Sequence, residues 1–469
     1  MKRIFYCIFT ALLVLLGCSS NEIVTVNWTT IGEEPTDLQL VQDEMNKILV
    51  ADYGVEIDFT YIDFADYTEQ MGLQLASGSP LDIVFAPSWS IDYPTSVNDG
   101  LYMSLDEYLT DEFKSTIDQS FWDGVTIDGS IYAVPTDKEL GPAVFGLFDQ
   151  EKIEEQNYDT TKVDSLESAL DISAQYYKDT GEKGFNIDKS WATDYPINNF
   201  DCVPALDYQV CLDIDNPEAG YKWAFDFESY QKEASLVNSY INDGVVATNP
   251  GDYYDWKTEA AFLHTATGLP TSEAGWELAN SRTYDVKQLN TPVITTDTVQ
   301  GSLNVISASS EHPEEAMKVL EAFNTDERLR NLNAFGIEGI HYNLNEGGKV
   351  VYTDESANYM PSIYAQGDYD SMYLLADEPD DTRQVLKDFN SSAIVSPALG
   401  FSPDLSKYQA QVANILNINN KYSATIMDFM YTGSLEEALK PVKEEYLKVE
   451  ADKVIEEINK QYDEWKSQQ

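Results

Sequence analysis

The side chains with chemistry to offer are unevenly supplied. Three histidines, His264, His312 and His341, lie far apart, and no two share a metal-ligand spacing on one helix, so no zinc site is expected. His312 and His341 read as loop or cap residues. Asp213-Ile214-Asp215-Asn216 carries carboxylates in a calcium-loop order but lacks the glycine and twelfth-position glutamate of an EF-hand, and reads as a turn. Neither a metal nor a cofactor is expected. Beyond residue 17 the only arginines are Arg282, Arg328, Arg330 and Arg383, which leaves few planar forks for carboxylate or phosphate. Aromatic and acidic side chains abound instead, with 30 Tyr, 19 Phe, 8 Trp and 81 Asp plus Glu. Rings stack on the apolar faces of neutral sugars, and carboxylates accept their hydroxyl protons. The supply points to a neutral polyhydroxylated ligand.

The cysteines divide by position. Lys2 and Arg3 precede an apolar stretch from Ile4 to Leu16, and Leu15-Leu16-Gly17-Cys18 leads into polar Ser19-Ser20-Asn21-Glu22. As a helix that stretch reaches about 20 Å against a hydrocarbon core of roughly 30 Å, so it reads as a secretion signal over 1–17 and not as a span. Leu-x-Gly-Cys resembles a bacterial lipobox, in which the cysteine is acylated and the preceding peptide removed. Cys18 is then the lipid-bearing N-terminus at the outer face of the membrane, each buried methylene adding about 0.8 kcal/mol. An ordinary signal peptide with an incidental cysteine is the alternative. Cys7 leaves with the signal. Cys202 and Cys211 remain, either as a disulfide worth about 2–3 kcal/mol in an oxidising exterior or as buried free thiols.

A net charge of −52, or −54 once Lys2 and Arg3 are gone, argues against nucleic acid and anionic lipid as partners, because no basic footprint exists to neutralise phosphates. It suits a soluble monomer. With 43 % hydrophobic residues the chain forms a core, and its length divides into two or three domains.

These residues are positioned by alternating elements. Ile23 to Trp28 and Val55 to Tyr61 alternate as strands, and Leu81 to Phe85 reads as a buried one. Between them, Thr36 with Gln39 makes a capping-box pattern ahead of a helix bearing Leu38, Val41, Met45, Ile48 and Leu49. A second helix opens at Asp63 and carries Phe64, Tyr67, Met71 and Leu75 on one face, stopping at Gly78-Ser79-Pro80. Strand, helix, strand, helix, strand predicts a mainly parallel α/β sheet, with ligands beyond the carboxyl ends of its strands. The expected organisation is a first lobe over 18–140, a second over 141–295, a return to the first over 296–340, and a C-terminal region with a hinge crossing and helices over 341–469. Gly301 to Ser307 is a strand of that return, followed by a helix with Pro313 at its first position.

Leu75-Ala76-Ser77-Gly78, Leu81-Asp82-Ile83-Val84, Gly100-Leu101, Leu105 to Leu109, Asp128 to Pro135, His312 to Met317 and Asn324-Thr325-Asp326 resemble, in order and spacing, the extracellular solute-binding proteins of family 1. Leu329 to Tyr342 is similar to a lipoprotein subgroup of oligosaccharide importers. Gly400 to Pro403 and Gln461 to Trp465 resemble that subgroup's C-terminal domain of unassigned function. The resemblance implies a two-lobed, hinged α/β fold of the periplasmic-binding-protein type and a non-enzymatic, membrane-tethered receptor. Such a receptor hands a sugar to an ABC permease. It also implies ligand contacts at Trp28 and Glu33 after the first strand, Trp89 after the third, and Asp137 and Glu139 after Val134-Pro135. From the second lobe the candidates are Trp191, Tyr195 and Trp256. A secreted glycoside hydrolase, with paired carboxylates, and a receptor for a peptide or cation are the competing readings.

Overall fold

Burial alternates along Val55–Ile62, is continuous over Trp28–Ile31 and Ile83–Phe85, and recurs at helical period in the first helices. A computed structural model describes residues 23–468 except 139–140, 142, 189–198, 250–256, 258–260 and 433–434. Val24–Ile31 is β1, Leu38–Ile48 α1, Val55–Ile62 β2, Phe64–Ser77 α2 and Ile83–Phe85 β3. Val55, Ile57, Phe59 and Ile62 of β2 face inward, as do Tyr67, Met71 and Leu75 of α2. The Thr36–Gln39 capping box does not form. Asp37 occupies the N-cap position of α1 without capping it, and its carboxylate instead meets Nε2 of His341 at 3.2 Å. His341, in the turn ahead of Tyr342, is therefore a loop residue that serves as a fully buried strut. Further elements of this lobe are α3 (Gln119–Val125) and β4 (Ala133–Pro135).

The chain then crosses over. Ala143–Asp149 is β5, Leu166–Thr180 α4, Phe185–Asp188 β6, Phe200–Cys202 β7, Val210–Asp213 β8, Lys222–Trp223 β9 and Glu228–Asn242 α5. Val246–Asn249 is β10, Leu263–Gly268 β11 and Tyr284–Gln288 β12. A second crossing follows: Val293–Ile294 is β13, Thr296–Gln300 α6, Leu303–Ile306 β14, Pro313–Thr325 α7 and Glu327–Phe335 α8. The third crossing consists of α9 (Thr382–Ser392) and β15 (Ile394–Val395), and leads to α10 (Gln409–Thr432), α11 (Leu435–Lys448) and α12 (Ala451–Lys466).

The first sheet runs β2-β1-β3-β14-β4. Its β2, β1 and β3 are parallel and only β14 runs against its neighbours, so β1, β2, β3 and β4 end on one edge. The second sheet runs β10-β6-β11-β5-β12, with β9-β8-β7 beside it as an antiparallel ribbon. Each sheet has its own core, one drawn from residues 26–134 and 294–365 and the other from 144–289 and 398–462. Tyr359 and Ala365 still complete the first core, so the return to the first lobe runs past the expected 340. Between the lobes, β13 and β15 pair in parallel, Val293 opposite Ile394 and Ile294 opposite Val395. This is the two-lobed α/β fold with a hinge. The α10, α11 and α12 helices bury Ile415, Ile418, Leu439, Val442, Tyr446, Val454, Ile458 and Tyr462 against the second lobe.

Candidate functional site

Ligands of such sheets sit beyond the carboxyl ends of the strands, and the first lobe's edge carries exposed aromatic surface there. Trp89, just past β3, is 52 % exposed. Its indole N–H donates to the Gly301 carbonyl at 2.8 Å, so the ring is fixed and presents a face. Phe64 lies parallel to it, 6.4 Å between centroids and 14° between planes, and Phe85 braces it edge-on. Phe64 itself is exposed, although the helical spacing groups it with the core face. It opens α2 at the sheet edge, ahead of the turns that pack, and a position-one residue beside a strand-end loop was the signal available. Tyr364 also meets Phe85, with 6.1 Å between centroids.

Glu33 is exposed in the loop after β1. Gly32 before it has φ of 127°, and a Cβ there would lie 2.8 Å from the Ser362 hydroxyl, so only glycine lets that loop close on Ser362.

Trp28 is corrected. It is fully buried between Phe59 and Phe323, 5.3 and 5.0 Å from their centroids, and its N–H donates to Asn304 Oδ1 at 3.1 Å. Its place in the register of β1 points it into the core, and a ring with no exposed face stacks on nothing that enters from solvent. Cys18, Glu139, Trp191, Tyr195 and Trp256 lie outside the described residues.

Asp137 sits where the chain first leaves the lobe, beside a cavity of about 400 Å³. Residues of all three crossings line it: Asp137 and Lys138, Ile294, then Ala393 and Val395. Burial, and then the charges of Asp368, Asp370 and Asp118, push the Asp137 carboxyl up to about 7. The other groups are engaged: Asp118 accepts from Ser120, Lys387 pairs with Asp370 at 2.8 Å, and Arg383 donates to the carbonyls of Tyr369, Met372 and Tyr373. The structure thus separates the five first-lobe candidates. Trp89 and Glu33 stand on the exposed edge, Asp137 lines the hinge, Trp28 is core, and Glu139 is not described.

Two further groups tie the lobes together. Asp201 of β7 is buried and accepts from Ser396 of the third crossing at 2.5 Å; burial pushes its carboxyl up to about 7. Tyr208, on the loop joining β7 to β8, donates to Asp297 of α6 at 3.3 Å. Cys202 and Cys211 face each other across β7 and β8 and are joined as a disulfide. Among the described residues, no three His, Cys, Asp or Glu are placed to hold a metal, and no helix is long and apolar enough to cross a membrane. The arrangement offers fixed rings, hydroxyl acceptors and a hinge, which is binding chemistry.

The chain is a two-lobed α/β scaffold with an exposed ring pair at the edge of its first sheet, and the comparisons agree on the fold. Residues 397–467 match the family model described as a domain of unknown function, DUF3502. The chain is similar to a carbohydrate ABC transporter substrate-binding protein of Streptococcus pneumoniae serotype 4, 24 % identical over 465 residues, covering 96 % of this chain and 92 % of that protein. Among solved structures it is similar to the N-glycan transport solute-binding protein NgtS of Streptococcus pneumoniae. The TM-score is 0.80 at 23 % identity, covering 95 % of this chain and 99 % of that one. Against the same protein in complex with Man1GlcNAc it is 0.68, at 22 % identity and covering 95 % and 100 % of the two chains.

Proposed function

We propose that this protein is the substrate-binding receptor of an ABC importer, capturing a neutral oligosaccharide between its lobes and presenting it to a permease. The observation that carries this is Trp89, its N–H tied to Gly301 and its face stacked beside Phe64, on the carboxyl edge of the first lobe and within a hinged fold. A similar protein binds mannosyl-N-acetylglucosamine fragments, so these are the first ligands to try. The pairing of a hinge with a binding edge supports a receptor over an enzyme. In this reading Cys18 carries the lipid that keeps the receptor on the outer face of the membrane beside its permease. Glu33 and Asp137 supply hydroxyl acceptors, and Glu139, Trp191, Tyr195 and Trp256 complete the cleft from the crossing and the second lobe.

Titrating the protein with Man1GlcNAc and Man5GlcNAc by calorimetry, with product analysis of the same mixtures, tests the reading. Saturable binding with intact glycan is the expected result; released mannose would make the protein a hydrolase. A thermal shift with peptides or divalent cations and none with glycans would transfer the site to another ligand class. A ligand at 100 times its dissociation constant stabilises by about 2.7 kcal/mol, which such a shift resolves.

A further inference from the structure

The carboxyl edge of the first sheet carries two anchoring points side by side. Ala86, just past β3, and Pro135 of β4 flank Leu303 at the start of β14, two strand spacings or about 10 Å apart. Beyond them Trp89 is tied to the Gly301 carbonyl, and Thr136 bonds Ser302 through both backbone and side chain. Trp89 lies exposed on that edge, while Asp137, next after Thr136, lines the cavity of about 400 Å³ where the three crossings meet. That volume is in the range of small-ligand sites, about 300–1,000 Å³. None of the lining residues belongs to the second lobe's core, so the cavity stands on the first lobe and the crossings.

Tyr369 lines the same cavity, and its N–H donates to the Asp137 carbonyl at 2.9 Å, so this ring and this carboxyl are neighbours. Residues 366–373 form neither helix nor strand, yet two of the four arginines beyond residue 17 are committed to holding them. Arg383 donates to the carbonyls of Tyr369, Met372 and Tyr373. Arg330, fully buried, donates to the carbonyls of Asp368 and Ile363 at 2.8 and 3.0 Å. Its guanidinium lies over the Tyr369 ring, 5.4 Å from the centroid, and since Arg330 does not line the cavity it backs the ring from the protein side. Burying a charge is costly unless it is well bonded, and here the bonds go to the shape of one loop. Phe121 adds a second ring to the lining. A sugar hydroxyl both donates and accepts, and a carboxyl poised near 7 meets it in either role.

We propose that Tyr369 and Asp137 make the hinge cavity a second sugar subsite, separate from the Trp89 platform on the same edge, with Arg330 and Arg383 as positioning residues for the Tyr369 ring. The subsite rests on the receptor reading above and deepens it. Because the two anchoring points are about 10 Å apart, the glycan that fills both is a chain of at least two sugars, one stacked on Trp89 and one on Tyr369. Asp137 then bonds a hydroxyl of the inner sugar. The two arginines touch no ligand in this role; they fix the loop, and through it the ring.

Calorimetric titration of the full chain with Man5GlcNAc, on wild type and on Tyr369→Leu, Tyr369→Phe, Arg383→Met and Trp89→Ala, tests the subsite. Leu keeps bulk in the cavity wall and loses the ring, and is expected to weaken binding about 10-fold, while Phe keeps the ring and stays within about 2-fold of wild type. Tyr369→Leu combined with Trp89→Ala should lose about 100-fold, since separate subsites contribute independently. Arg383→Met should weaken binding about 5-fold on its own and not at all in the Tyr369→Leu background, a dependence that a merely structural arginine would not show. Tyr369→Leu with wild-type affinity, or a double variant with Trp89→Ala no weaker than either single one, would overturn the subsite while leaving the receptor reading intact. A wild-type protein that binds no glycan would remove both.

Discussion

Trp223 and Tyr446 lie face to face, their centroids 4.0 Å apart and their planes 6° from parallel. One ring belongs to β9 and the other to α11, so the contact joins the second lobe's ribbon to the C-terminal helices. Beside it Tyr221, Phe401 and Tyr462 form an aromatic cluster, and Asn459 of α12 bonds both the N–H and the carbonyl of Tyr221. Gly220 admits this approach, since a Cβ there would lie 2.4 Å from the Asn459 amide oxygen. The C-terminal helices are part of the lobe's core and not an appended module.

Tyr446→Ala should therefore destabilise the protein as a core truncation does, by about 3–5 kcal/mol. Tyr446→Phe keeps the stack and loses only the bond to Asn419, costing about 1 kcal/mol. Urea unfolding followed by tryptophan fluorescence separates the two. An Ala variant within 1 kcal/mol of wild type, on the order of a surface change, would mean that the stack bears no load.

The two first-lobe tryptophans should behave oppositely. Trp28→Ala empties a core site bounded by Phe59, Phe323 and Asn304, and is expected to cost about 3–5 kcal/mol. Trp89→Ala removes an exposed face and should leave the melting temperature nearly unchanged, while weakening glycan binding about 10-fold through lost stacking. Melting curves and calorimetry on both variants check this, and a Trp89 variant that unfolds while its affinity holds would make that ring structural too.

What the sequence discloses depends on what each feature needs. The first lobe's strands and helices are legible because their burial is local and periodic: β2 alternates, and Tyr67, Met71 and Leu75 recur at helical spacing. Trp89 is legible because a strand end fixes its address. Trp28 is not, since β1 runs on to Ile31 and whether a ring in mid-strand points in or out is decided by Phe323 and Asn304, nearly 300 positions away. The Thr36–Gln39 box fails for a similar reason, because distant His341 claims Asp37. Tyr208 carries no signal at all. Nothing in Leu206-Asp207-Tyr208-Gln209 resembles an Asn-Gly turn, yet Asp207 and Tyr208 take φ of 57° and 56° in the loop that the Cys202–Cys211 bond closes and that Asn419 meets at the Leu206 carbonyl.

The Cys202–Cys211 bond closes a short loop, and in the chain-entropy account such a loop is worth about 2–3 kcal/mol. Reduction should lower the melting temperature by several degrees without unfolding the protein at room temperature, because β7, β8 and β9 still pair and the C-terminal helices still cover them. Melting with and without reductant reads the effect; equal melting temperatures would show that the ribbon is held by its packing alone.

Asp201 gives the molecule a pH dependence of defined sign. It is fully buried, accepts a single hydrogen bond from Ser396, and its carboxyl is raised from 3.8 to about 7, chiefly by burial, with Asp297 adding in the same direction. Between those values the folded chain holds a proton at this site that the unfolded chain has released, so stability falls as pH rises from about 4 to about 7 and is level above. The full span is on the order of 4 kcal/mol at most. Asp201→Asn keeps the size and the bond to Ser396 and cannot ionise. The difference in unfolding free energy between Asp201→Asn and wild type should therefore grow in favour of Asn from pH 4 to pH 7 and then stay constant. Urea titrations across pH 4–8 measure it. A difference that does not change with pH would mean that water or a structural shift satisfies the charge, and that the contact between β7 and the third crossing is looser than its geometry.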